Sequence, residues 1–292
     1  MNVIKLSTPV VFETDWRCRY SDRFVTIGSC FSDTVGQRMR QCGMDVMVNP
    51  FGTLYNPASI ATGISRCLDG MWIEESDLVT CEGFWHSWFH HSSFSRNTKE
   101  ECIEACNASM RAFADRLRGG CKLLVTLGTA FVFENKEISA VVGNCHKLPA
   151  DQFVRRRLSV SEIVGNWSLL LDRLTALGVE ILFTVSPIRH FADGAHGNQL
   201  SKSTLLLAVD ELVSRYEGCR YFPAYEIVMD ELRDYRFYGR DMVHPSDVAI
   251  DVVWNRFLQS YLSPADIALC ESGWKSNCSA EHRRIINSNT IK

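Results

Sequence analysis

No stretch of the 292-residue sequence is apolar for long enough to cross a bilayer. The start, Met1-Asn2-Val3-Ile4-Lys5-Leu6-Ser7-Thr8-Pro9, lacks the long apolar core of a signal peptide. A cytoplasmic chain without membrane contacts is therefore expected. Basic residues are in no excess: the net charge is −3, without the basic face that a nucleic-acid binder carries. Twelve cysteines run from Cys18 to Cys278 with no C-x-x-C pair and no zinc-ribbon spacing, so reduced thiols are expected. Cys102 and Cys106 lie one helical turn apart, but no nearby histidine pair completes a metal site. Internal repeats, low-complexity segments and linkers that would split the chain are also missing. One domain with insertions is expected over residues 1–270, followed by a polar, partly disordered tail over 271–292.

What is present is ordinary for a globular chain, 46% hydrophobic and 22% charged. Short apolar runs alternate with amphipathic stretches. Strands are expected near Phe24–Gly28, Met44–Val48, Lys122–Leu127, Val179–Val185 and Cys219–Phe222, after a lead-in or edge segment. Helices are expected over Thr34–Arg40, Ala58–Cys67, Lys99–Leu117 and Ser201–Tyr216. Another follows the capping box Ser159-Val160-Ser161-Glu162 and stops at Gly178. Val141–Pro149 reads as an excursion from the main sheet. This alternation predicts α/β architecture, a three-layer α/β/α sandwich on a mostly parallel sheet with insertions.

Phe24-Val25-Thr26-Ile27-Gly28-Ser29-Cys30 reads as strand, tight turn and helix start. That order puts Ser29 near unpaired helix N–H groups, a seat for a nucleophile, although Ser is also a favoured N-cap. An open parallel sheet binds ligands at the C-terminal ends of its strands. There the other strands deliver Asn49-Pro50-Phe51-Gly52, Gly128-Thr129 and Ser186-Pro187-Ile188-Arg189-His190. Asp241-Met242-Val243-His244-Pro245 stands ahead of the final helix. Asp and His three apart on a turn can meet, which fixes the other imidazole nitrogen as a proton acceptor.

These blocks, with Asn144-Cys145-His146-Lys147 and Leu54-Tyr55-Asn56-Pro57, resemble the GSCFA-domain family from about Phe12 to Leu262. Ser32 stands where the family name has Ala. GSCFA proteins in turn resemble SGNH/GDSL hydrolases, which implies a flavodoxin-like, SGNH-type sheet and a serine esterase acting on an ester such as an O-acetylated carbohydrate. By that resemblance Ser29 is the nucleophile, Gly52 a backbone oxyanion donor, His244 the base and Asp241 its orienter. The third SGNH block departs, with Gly128-Thr129-Ala130 in place of Gly-x-Asn-Asp, leaving Thr129 or Asn144 as the oxyanion side chain. Arg189, His146, Lys147 and His190 are candidates for binding the substrate, a small molecule or carbohydrate ester. No cofactor or metal is called for.

Two other readings compete. Cys30, on the first helical turn, could be the nucleophile instead. The pocket could also hold a glycan or acyl ligand without chemistry. His86 and His90 would share a helical face suited to zinc, but the aromatics Trp85, Trp88 and Phe89 around them favour packing. Arg155-Arg156-Arg157 reads as a solvated charge run.

Overall fold

The computed structural model describes residues 7–289. The first six residues of the expected lead-in and the last three of the expected tail lie outside it. Five strands form a parallel sheet: β1 (Arg23–Gly28), β2 (Asp45–Val48), β5 (Lys122–Leu127), β9 (Glu180–Val185) and β10 (Cys219–Tyr221). Their order is β10-β9-β5-β1-β2, every neighbouring pair parallel. Counted along the chain, that order is 2-1-3-4-5.

The described residues form eight helices, α1 (Cys30–Gln41), α2 (Pro57–Asp69), α3 (Lys99–Arg118), α4 (Val160–Ala176), α5 (Gly194–Arg215), a single turn α6 (Ala224–Glu226), α7 (Asp247–Tyr261) and α8 (Pro264–Asn289). Alternate strand residues feed two cores, one on each face. Val25, Ile27, Leu123, Val125, Ile181 and Phe183 meet α2, α3, α4 and α5. Phe24, Leu124 and Leu182 meet α1, α7 and the start of α8. The sheet therefore has no wet face, which explains why its strands read as continuous apolar runs. The chain leaves β1 towards one core and β5 towards the other, and this divergence opens a crevice at their C-terminal ends.

Helix boundaries follow local chemistry. Asn56 caps α2 by accepting from the Ser59 N–H, Pro57 takes the first position, and Gly70 ends the helix at φ 67°. The capping box of Ser159 and Glu162 opens α4.

Two antiparallel units lie outside the main sheet. One is the hairpin β3 (Leu78–Cys81) with β4 (Phe84–Ser87). The other is a three-stranded sheet β7-β6-β8, from β6 (Phe131–Asn135), β7 (Ala140–Val141) and β8 (Phe153–Arg157). The excursion is thus larger than Val141–Pro149, and Arg155–Arg157 belong to a strand of it, where Arg155 and Arg157 stay exposed as expected of a solvated run and Arg156 is half-buried.

Of the two readings of the segment before Arg23, the lead-in holds: no strand forms there among the described residues, and the segment buries Trp16 and Cys18 beside Tyr261. Two further expectations need correcting. Helix α5 begins at Gly194, seven residues before Ser201, because the polar start of the segment still satisfies its own backbone as a helix. Residues 271–289 are helical: Trp274 packs under the Arg38 guanidinium and Asn277 donates to the Gln41 carbonyl.

Candidate active site

The strand β1 to helix α1 junction depends on Gly28. Its φ is 139°, and a Cβ there would lie 2.0 Å from the Thr126 carbonyl oxygen, so no side chain fits. The Gly28 N–H donates to Asn49 Oδ1 at 2.8 Å, and the Leu54 N–H donates to the Gly28 carbonyl at 3.0 Å. Asn49, at φ 43°, also donates from Nδ2 to Asp33, which accepts a second bond from the Thr53 hydroxyl. This network fixes the loop after β2 against the junction.

Beyond Gly28 the two candidate side chains, Ser29 and Cys30, part company. Ser29 turns inwards: it is fully buried, its hydroxyl has no hydrogen-bond partner, and its Cβ packs where Gly128 has none. The hydroxyl expected to attack is therefore shut away from the crevice, and it does not cap α1 either. Cys30 faces the cleft instead, with Sγ 3.7 Å from His244 Nε2.

His244 is held by Asp241, as the spacing predicts. Nδ1 lies 2.6 Å from Asp241 Oδ2, while Asp241 Oδ1 accepts the backbone N–H groups of Val243 and His244. Met242 makes this turn possible at φ 57°. The two backbone bonds, and then the imidazole, pull the Asp241 carboxyl down to about 2, so it is ionised at any working pH. An ionised carboxylate makes Nδ1 the donor and leaves the Nε2 lone pair towards the thiol. The Arg189 N–H donates to the Val243 carbonyl, tying this turn to the segment after β9. Burial raises the Cys30 thiol above its ordinary value, and the N–H groups of Cys30 and Phe31 at the mouth of α1 partly oppose that shift. The net direction at Cys30 disfavours the thiolate, and His244 Nε2 is the ring nitrogen within reach of the thiol.

The oxyanion donors differ from those that the resemblance implies. The Gly52 N–H donates to the Asn49 carbonyl at 2.8 Å, so it is committed to its own turn. Thr129 and Asn144 do line the cleft. The Thr129 hydroxyl, however, lies 3.0 Å from the Ser201 hydroxyl and accepts from the Phe131 N–H; Asn144 Oδ1 accepts from the His146 N–H. The N–H groups beside the sulfur are the nearest donors with no helical partner. Tyr55 also lines the cleft, with its phenol raised by burial and then by the nearness of Cys30.

Of the four substrate-binding candidates, only His190 reaches this cleft. Burial lowers its pKa to about 4, so it is neutral, and its Nε2 has no partner. His146 is buried, stacked on His86 and bonded to the Ser87 carbonyl. Lys147 pairs with Glu82 at a separate depression, and the Arg189 guanidinium lies over Phe191. His86 sits in β4, not in a helix, with its two nitrogens facing Ser95 and the Cys81 carbonyl. Among the described residues no group of three His, Cys, Asp or Glu side chains could hold a metal ion.

The residue that the sequence reading missed is Lys202. It is buried at 1% exposure, and Nζ donates to the carbonyls of Gly128 (2.6 Å) and Ser186 (2.7 Å), bridging the ends of β5 and β9. A signal existed: Lys202, Leu205, Val209 and Leu212 share the buried stripe of α5, where a lysine is out of place.

The model of the GSCFA family matches residues 23–257, which include Cys30, Asp241 and His244. No curated protein and no solved structure matches the chain. No helix among the described residues is long and apolar enough to cross a membrane.

Proposed function

The chain belongs to the GSCFA family, and from that premise we propose that it is an acyl hydrolase, an esterase or thioesterase, with Cys30 as its nucleophile. The observation that carries the reading is the chain of contacts from Cys30 Sγ to His244 Nε2 and from His244 Nδ1 to Asp241. In this proposal the fold is of the SGNH type, a three-layer sandwich with flavodoxin-like order, since helices cover both faces of a 2-1-3-4-5 parallel sheet. Cys30 stands where such an enzyme would present a serine.

In the first half-reaction the sulfur attacks the ester carbonyl carbon while His244 Nε2 takes the thiol proton. The C=O electron pair moves to oxygen, which the N–H groups of Cys30 and Phe31 receive at the positive end of α1. The oxyanion collapses, the bond to the leaving oxygen breaks, and His244 returns the proton to it, leaving a thioester on Cys30. Water then attacks with His244 again as base, and the acid departs as the thiol re-forms. Asp241 stays ionised throughout and holds the imidazole in one tautomer.

The proposal includes a reducing compartment, the cytoplasm, because all twelve cysteines are unpaired and the nucleophile is one of them. One observation favours a second reading, a binding module without turnover: the Thr129 hydroxyl is already engaged with Ser201.

The test is hydrolysis of p-nitrophenyl esters by the purified chain and its variants. Cys30→Ala should lower the rate at least about 10³-fold and Ser29→Ala only slightly. Equal rates for Cys30→Ala and the unchanged protein would refute the thiol mechanism. Ligand binding with no turnover in any variant would favour the second reading.

A further inference from the structure

The cleft beside Cys30 and His244 has a volume of about 570 Å³, within the range that houses an organic ligand of drug-like size. Its near rim is polar, from Cys30, Thr129 and His244. Its far wall comes from the excursion and is apolar, from Phe131, Phe133, Val142, Leu148 and Phe153. Phe133 keeps 38% of its surface open there, a large aromatic left uncovered on a wall next to a nucleophile.

Charge on this wall is neutralised from within. Arg155 forms a bidentate pair with Asp193 and lies over the rings of Phe131 (4.3 Å) and Phe133 (5.3 Å). His190 is neutral, for the reason given above. Neither group offers a free cation to a carboxylate or phosphate, and the cations expected to do so, Lys147 and Arg189, lie elsewhere.

We infer that the substrate's acyl part is an uncharged chain or ring larger than acetyl, seated against Phe131, Phe133 and Phe153. The inference rests on the acyl-hydrolase reading. An acetyl group bonded to Cys30 would leave nearly all of this wall wet, whereas each methylene buried against it favours the bound state about fourfold. The aromatic wall favours an uncharged chain, and the closed Arg155–Asp193 pair leaves no free cation on it for a charged acyl group.

The experiment compares p-nitrophenyl esters from acetate to decanoate at constant leaving group, with intact-mass detection of acyl-Cys30. Expected is kcat/KM rising about fourfold per methylene to a maximum, then falling when the chain outgrows the cleft. Ala150→Trp, at an exposed position on the same cleft, should move that maximum to shorter chains. A flat profile, or one that peaks at acetate, with Cys30 still acylated overturns the inference and leaves the hydrolase standing. So does an Ala150→Trp profile identical to that of the unchanged protein. If no ester acylates Cys30, the hydrolase reading falls and the inference goes with it.

Discussion

A strand that ends in glycine and turns directly into a helix sends successive side chains to different sides of the junction. Ser29 and Cys30 show the result, one sealed and one presented to His244. Sequence reading located this junction, the Asp241–His244 turn and the Gly28 requirement, all of which depend on local spacing. It could not choose between residues 29 and 30, because at such a turn a one-residue difference reverses the face. A buried hydroxyl without a partner is a liability, so Ser29→Ala should raise stability by up to about 1 kcal/mol in urea unfolding. A clear loss would mean that the Ser29 hydroxyl does make a hydrogen bond in the folded chain. Lys202 gives a pH signature: burial pushes its pKa down to about 7, while in the unfolded chain it titrates near 10.4. Between those values the unfolded chain binds the extra proton, so stability gains up to about 1.4 kcal/mol per unit as pH rises. Lys202→Met should lack this component, so unfolding at pH 7 and pH 9 should give different slopes for the two proteins. Equal slopes would refute it.

At the scale of elements, the capped helices α2 and α4 and the sheet strands were legible because caps, glycines and apolar runs are short-range signals. The excursion was not, because the edges of β6 and β8 are defined by each other across some twenty residues. Nor was the docking of α8, which depends on a close approach that only coordinates reveal. Gly273 in that helix lies against the Cys42 carbonyl, where an added Cβ would come within 1.9 Å of the oxygen. Gly to Ala in a helix usually stabilises by about 1 kcal/mol. Here the sign should invert, with Gly273→Ala costing about 1–3 kcal/mol in chemical denaturation as α8 is forced from α1. A stabilised variant would mean that α8 is not seated there.

At the scale of the whole molecule, two cores flank one sheet and no covalent cross-link joins them, since all the cysteines are free. The melting temperature should therefore be the same with and without a thiol reductant; a fall on reduction would expose a disulfide. The constellation of Cys30, His244 and Asp241 draws on the loops of distant segments, and its geometry was legible only as a list of what each strand end delivers. Which of those side chains enter the crevice is set by hydrogen bonds between segments, such as Gly28 to Asn49 and Arg189 to Val243.

The 214 positions between the thiol and its imidazole also impose an order in time. At ribosomal speeds the nascent polypeptide carries residue 30 for about 10–40 s before residue 244 is even translated. Throughout that interval the sulfur lacks this imidazole, so under the proposed acyl-hydrolase reading the growing chain should not react with esters. Ribosome-stalled products halted short of Asp241 should give no acylation burst, and release of the completed chain should restore it.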